Sequence, residues 1–309
     1  MRTPAIGGKI ETEPLSATPG KKRHRRTIAE IQHLFEVVQA ILAEQTGRIP
    51  IRHLWYRVVM TVTAAVKNTQ REYDKFIDLM TTWRYEGKIP YSAFIDDARG
   101  YIGSEGWDTP RDFLNDMPDI WRKNFWKDRD DHVEIWTEKN AIAHILLEGA
   151  DPWHVRVLPT RGFNSISTMW DAARGIIGKQ KQGKMVYVYQ FADWDPSGVE
   201  IDRSNVKRLC DHFGVNSDLL TYERIAVTRE QVRELGLPSI PTKDNSQSGH
   251  GLGFEGDSVE VDAVTRDVLI DLVRECLSRH IPEDELERLQ AEEDATREKM
   301  ARAFRRIRL

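Results

Sequence analysis

Apolar residues recur at helical spacing over the first third of the chain and give way to short alternating runs beyond residue 130. Ile28, Ile31, Leu34, Phe35, Val38, Ile41 and Leu42 trace one face of a helix. Thr27 and Glu30 match the capping box that would start it. This helix ends near Gly47, and Pro50, suited to a first helical turn, opens a second. Ile51, Leu54, Trp55, Val58 and Val62 form the second apolar stripe. A third helix starts near Thr69, uses Tyr73, Phe76, Ile77, Met80 and Trp83, and stops at Gly87. Short extended pieces follow at Ile89-Pro90-Tyr91 and Phe94-Ile95. Three short helices and a β-like return predict an N-terminal helical winged-helix (CAP-like) domain over residues 27–105.

Residues 106–130, with Pro110, Pro118, Trp121 and Trp126, read as a connector. From 131 the pattern alternates. Val133–Trp136, His154–Leu158, Met185–Phe191 and Leu219–Val227 are predicted strands, and Asn140–Leu147, Ser165–Ile177 and Gly198–Phe213 are predicted helices. This β/α alternation predicts an α/β domain over 131–281 with a mostly parallel sheet and helices on both faces. Residues 282–309 form a charged helix, acidic from Glu283 and basic toward Arg308. That order complements the helix dipole and predicts a solvated helix. Residues 1–26 are rich in Pro, Thr, Gly and basic side chains without periodicity, as expected for a disordered basic tail.

Composition narrows the class. The chain has 309 residues, 40% apolar and 30% charged, enough for two soluble domains. No stretch of about 18 apolar residues exists, so no membrane span is expected. The N-terminus lacks the apolar core of a signal peptide. Cys210 and Cys276 lie in helix-like runs, and no CxxC or HxxxH pair occurs. A reduced, cytoplasmic protein without zinc is the expectation. The net charge of −4, from 45 basic and 49 acidic residues, neither demands nor excludes nucleic acid.

The run Asp193-Trp194-Asp195-Pro196-Ser197-Gly198 directly follows the strand Met185–Phe191. Alternation would place its two carboxylates on one side. There they repel and lose hydration unless a cation sits between them. Strand carboxyl ends are where sites assemble in α/β sheets. Glu138, in Trp136-Thr137-Glu138-Lys139, ends the first strand in the same way. Glu138, Asp193 and Asp195 are therefore the expected ligands of one or two magnesium ions. Gly162, after the second strand, would let backbone approach that site closely. A calcium EF-hand loop is excluded, because its twelfth position would be Ser204 instead of glutamate.

Tyr56 lies more than roughly 100° from the centre of the second helix's stripe, and Arg52 precedes it by one turn. A tyrosine off the core face beside an arginine is a candidate nucleophile, since a phenol needs a cation or base to ionise. The competing reading is a tyrosine hydrogen-bonded at a domain interface. Arg57, Lys67, Arg71, Lys75, Arg84 and Lys139 are candidate DNA-phosphate contacts, and the tail Lys21–Arg26 would add sequence-independent affinity. Lys243, in the polar run Pro241–Gly253, lies in a loop that could close over DNA.

The strand-end Glu138-Lys139, the small-Gly turn at Gly162 and the Asp-x-Asp-Pro-x-Gly run resemble the toprim domain of topoisomerases, primases and several nucleases. The form Asp195–Ile201 is similar to that of the A subunit of topoisomerase VI and of its relative, the meiotic double-strand-break transesterase. That family places a catalytic tyrosine in an Arg-Asp-x-aromatic-Tyr motif on the winged-helix domain. Ile51-Arg52-His53-Leu54-Trp55-Tyr56 resembles it, with His53 where the family has Asp. The resemblance covers roughly residues 28–280. Short phage- and plasmid-borne relatives resemble the chain further in Thr69–Tyr73, Ile95–Arg99 and Val259–Ala263.

The resemblance implies a magnesium-dependent DNA-cleaving transesterase, type IIB topoisomerase A-subunit-like, with Tyr56, Arg52 and Glu138 in catalytic roles. It implies double-stranded DNA as partner and a homodimer whose tyrosine and metal come from different chains. No GxxxxGK[ST] occurs, so a complete topoisomerase would need a separate ATP-hydrolysing subunit. Two readings compete: a toprim nuclease using metal-activated water, and a non-catalytic DNA-binding accessory protein.

Overall fold

A computed structural model describes residues 26–62, 66–94, 106–160, 166–239 and 258–307. The N-terminal helices form where the apolar spacing puts them. Helix α1 (Ile28–Glu44) starts with the expected capping box, in which the Thr27 amide donates to Glu30 Oε2 at 2.6 Å. Helix α2 (Ile51–Thr61) follows Pro50, and α3 (Gln70–Tyr85) is capped by the Thr69 hydroxyl. The chain leaves α3 through Gly87 at φ +69°, a left-handed conformation that favours glycine. Leu34, Val38, Leu54, Trp55, Val58, Phe76, Met80 and Trp83 are buried between the three helices. Of the β-like return, the described residues show one parallel bridge, Ile49 to Phe94. The run Ile95–Arg99 lies outside the described residues.

The connector contains an unanticipated helix, α4 (Pro110–Ile120), with a capping box between Thr109 and Asp112. It packs against α10 (Glu283–Phe304). The C-terminal helix is therefore not solvated all round. Leu286 and Leu289 are buried, and the buried Glu293 carboxylate accepts the Lys123 amide at 2.6 Å.

From β1 to β4 the remaining elements alternate as expected, and two helices not expected from the sequence follow. The elements are β1 (Asp131–Thr137), α5 (Asn140–Ala150), β2 (Val157–Pro159), α6 (Ile166–Gln180), β3 (Met185–Phe191), α7 (Pro196–Lys207), β4 (Leu220–Ala226), α8 (Arg229–Glu234) and α9 (Arg266–Ser278). The four strands form an all-parallel sheet in the order β2-β1-β3-β4. β2 starts three residues later than expected. His154 turns the chain with φ +55°, stacks on Phe125 with ring centroids 4.2 Å apart, and bonds the Lys123 carbonyl at 2.9 Å. Past α7 the helix changes to one π-helical turn, Arg208–His212.

Helices cover both sheet faces. Trp136, Val186 and Val188 pack with Met169, Ile176 and Leu209 on one face. Ile135, Tyr189 and Phe191 belong to a second core that continues through α5 and α9 into the N-terminal helices. No helix among the described residues is long and apolar enough to cross a membrane. Beyond the carboxyl end of β3, Trp194 pairs antiparallel with Val259 through backbone bonds of 2.8 and 2.9 Å. The following 3-10 turn, Val261–Ala263, packs against α2. Segment 258–264 thereby joins the end of the sheet to the helix that carries Tyr56.

Candidate functional site

The sheet's carboxyl end brings Glu138 and Asp193 together. Glu138 follows β1, and its amide donates to the Phe191 carbonyl at 3.3 Å. Its Oε1 accepts the Asp193 amide at 3.3 Å, and its Oε2 is buried without a hydrogen-bond partner. Burial first, and then the Asp193 charge, push the Glu138 carboxyl up to about 8. Burial also raises Asp193, against the opposing pull of Lys139. Asp193 Oδ1 accepts the Val261 amide at 2.7 Å, and Oδ2 pairs with Lys139 Nζ at 3.0 Å.

Asp195 does something different from what strand alternation predicts. β3 ends at Phe191, so the period of two does not reach either aspartate. Asp195 is the N-cap of α7, its Oδ1 accepting the Gly198 amide at 2.6 Å. Gly198 is buried, and a Cβ there would run into the Asp193 carbonyl oxygen. The Asp-Pro-x-Gly run thus builds a helix start that holds Asp193 in place.

Lys139 joins the sheet end to the N-terminal helices. Its ammonium contacts Asp193 at 3.0 Å, Glu260 at 2.9 Å and Asp262 at 2.9 Å. The charges of Asp262, Asp193 and Glu260 outweigh its burial and raise its pKa. Glu260 also accepts two bonds from Arg52 Nη2, at 2.8 and 3.0 Å. The same nitrogen reaches the Tyr56 hydroxyl at 3.5 Å. Carboxylate and phenol therefore lie side by side on one guanidinium. Arg52 is further held over the Tyr73 ring, 4.6 Å from its centroid.

Tyr56 was expected off the core face, and it is 1% exposed. The reason is that α2 is buried on two sides: one stripe meets α1 and α3, and the opposite face meets the Val261–Ala263 turn. Burial and the Glu260 charge raise the phenol's pKa, with Arg52 and Lys139 pulling the other way. His53, in the same helix, is also 1% exposed, and neither ring nitrogen has a partner.

The expected phosphate contacts divide. Lys139, with its ammonium shared among three carboxylates, is not free to meet a phosphate in this arrangement. Arg57 pairs with Glu44 at 2.9 Å, and Arg84 lies over the Tyr91 ring. Lys67, Arg71 and Lys75 line one cavity beside α3. Gly162 and Lys243 lie outside the described residues, as does the tail Lys21–Arg25.

Glu260 and Asp262 were given no role by sequence reasoning. In Val259-Glu260-Val261-Asp262-Ala263 the two acids share one parity and the apolar residues the other, which marks a half-buried segment but not what it meets. No group of three or more His, Cys, Asp or Glu side chains is arranged to hold a metal ion among the described residues. Glu138 and Asp193 nevertheless fit a magnesium ion: they are neighbouring carboxylates, both raised, and one of their oxygens is buried without a partner. Magnesium commonly takes one or two protein carboxylates and completes its shell with water. Of the three expected ligands, Asp195 commits one oxygen to the helix cap, and Asp193 commits both, to the Val261 amide and to Lys139. No family model matches the chain, and no curated protein matches it.

Proposed function

We propose that the chain is a DNA-cleaving tyrosine transesterase, a winged-helix unit carrying Tyr56 joined to a toprim α/β unit, as its motifs resemble. The observation that carries this reading is the continuous chain Tyr56–Arg52–Glu260–Lys139–Asp193–Glu138 within one molecule. A candidate nucleophile, a carboxylate beside it and cations that orient that carboxylate form the arrangement an activated nucleophile needs. Tyr56 Oη would form a bond to phosphorus while the bond from phosphorus to a deoxyribose oxygen breaks, and the departing oxygen would take a proton from water, leaving that strand with a hydroxyl. The phenol proton would pass to Glu260, and Arg52 would face the charge developing on the phosphate. Magnesium bound by Glu138 and Asp193 would neutralise phosphate charge when present.

Because Tyr56 is buried, DNA reaches it only when the contact between α2 and the Val261–Ala263 turn opens. This single-chain arrangement departs from the resemblance, which implies that tyrosine and metal come from different chains. A homodimer with one site per DNA strand, each built within one chain, and a separate ATP-hydrolysing subunit belong to this reading. The burial and raised pKa of Tyr56 favour a second one, a metal-dependent nuclease in which activated water cuts and Tyr56 is structural.

Supercoiled plasmid, magnesium and the full chain separate the two. Denatured wild-type reactions should release linear DNA only after protease treatment, and Tyr56→Phe should abolish cutting. Retained cutting by Tyr56→Phe, with no protein attached to a DNA end, selects the nuclease. DNA binding without cutting under any divalent ion leaves an accessory DNA-binding protein.

A further inference from the structure

Between the start of α1, the end of α2 and the first turns of α3 lies a half-open cavity of about 600 Å³. Leu34 and Val66 give it an apolar floor, and Arg26, Lys67, Arg71 and Lys75 supply positive walls. Two acids, Glu30 and Glu72, also line it, so cations are in excess on a chain whose overall charge is −4. Glu72 is already shared between Arg26 at 2.7 Å and Lys75 at 2.5 Å. Lys67 and Arg71 are exposed and make no ion pair among the described residues.

Arg26 supplies a second, independent observation. Its side chain is only 13% exposed, and its Nη1 is buried without a hydrogen-bond partner. An unmade bond on a buried cationic donor is costly, but that nitrogen is shielded from solvent, so an acceptor in the cavity meets it only after the Arg26 side chain turns. Guanidinium groups present paired donors that match phosphate oxygens. The volume falls in the range of small-molecule sites, about 300–1,000 Å³, and is too small to admit a DNA duplex.

We propose that this cavity binds a phosphate-bearing ligand of nucleotide size. The phosphate lies between the exposed Lys67 and Arg71, with Arg26 in the wall behind them, and the body of the ligand covers Leu34 and Val66. A free nucleotide and an unpaired nucleotide of a single strand present the same chemistry. None of the residues lining the cavity belongs to the Tyr56–Glu260 cluster, so the inference stands whether or not Tyr56 is a nucleophile.

Calorimetric titration of the full chain tests this with four probes: a deoxynucleoside 5′-monophosphate, the same nucleoside without phosphate, inorganic phosphate, and a short 5′-phosphorylated single-stranded oligonucleotide. The monophosphate or the oligonucleotide should bind, and the bare nucleoside should not. The double substitution Lys67→Ala/Arg71→Ala should weaken binding by about tenfold or more, as expected for loss of charge-assisted bonds. Both residues are exposed, so circular dichroism should show an unchanged fold. Tyr56→Phe should bind like wild type, whatever its effect on cleavage. Tighter binding of the oligonucleotide assigns the site to a strand, and equal binding assigns it to a free nucleotide. Binding of the nucleoside alone, no binding of either phosphate-bearing probe, or a double variant within twofold of wild type overturns the proposal.

Discussion

His53 stands where the resembled motif has an aspartate, and its environment makes a quantitative demand. Burial pushes its pKa from the usual 6.5 down to about 4. Arg57 and Arg266 push in the same direction, while Asp262 and Asp267 oppose them. With neither ring nitrogen bonded, no hydrogen bond rewards protonation in the folded state, and burial outweighs the pull of Asp262 and Asp267. Between pH 6.5 and 4 the unfolded chain therefore binds a proton that the folded chain refuses. The stability contributed by a neutral His53 is complete above pH 6.5 and is lost as the pH falls toward 4. The whole difference corresponds to about 3 kcal/mol, of which about 2 kcal/mol is already gone at pH 5.

The measurement is urea unfolding of wild type and His53→Leu at pH 7.5 and pH 5. Leucine has similar bulk and leaves no polar atom to satisfy. Carboxylates elsewhere titrate in both proteins and cancel in the comparison. Wild type should lose about 2 kcal/mol more than His53→Leu on going to pH 5. Equal losses would refute the reasoning, because they would mean that folded His53 accepts a proton as readily as the unfolded chain does.

Two further substitutions probe how the acids are held. Gly198→Ala puts a methyl group against the Asp193 carbonyl, and thermal or urea unfolding should show a loss of about 1–3 kcal/mol; a neutral result would mean the turn relaxes without moving Asp193. Lys139→Met leaves Asp193, Glu260 and Asp262 facing one another and should cost about 3 kcal/mol. Magnesium should then raise the melting temperature of Lys139→Met more than that of wild type, and an equal response in scanning fluorimetry would count against a carboxylate site at this position.

Much of the fold was legible because local pattern and burial agree. β3 runs from Met185 to Phe191 as its alternation indicated, and the Thr27–Glu30 cap sits where its spacing put it. α4 was hidden, since its prolines and the tryptophans after it read as connector rather than as helix. Glu138 and Asp193 were legible as neighbours because parallel strands bring their carboxyl ends together. Asp195 lies past the end of β3, where the period of two no longer sets its direction and the start of α7 does. Glu260 and Asp262 escaped for another reason. They reach the site through the pairing of Trp194 with Val259, a contact between segments 65 residues apart that no local pattern announces.

Tyr56 shows why a single stripe can mislead about exposure. The angle from the Leu54–Val58 stripe correctly separates it from the α1–α3 core, but the opposite face of α2 meets the Val261–Ala263 turn instead of water. That second burial decides the electrostatics of the site. Two cations, Arg52 and Lys139, face four carboxylates, Glu138, Asp193, Glu260 and Asp262. The cluster stays negative even with Glu138 protonated, so a DNA phosphate brought to it alone would be repelled. A divalent cation at Glu138 and Asp193 neutralises that balance and frees Lys139 from one of its three partners. On the proposed reading, metal must therefore precede DNA at this site. Tyr56 then becomes reachable only after the charges that hold α2 against the turn have been redistributed.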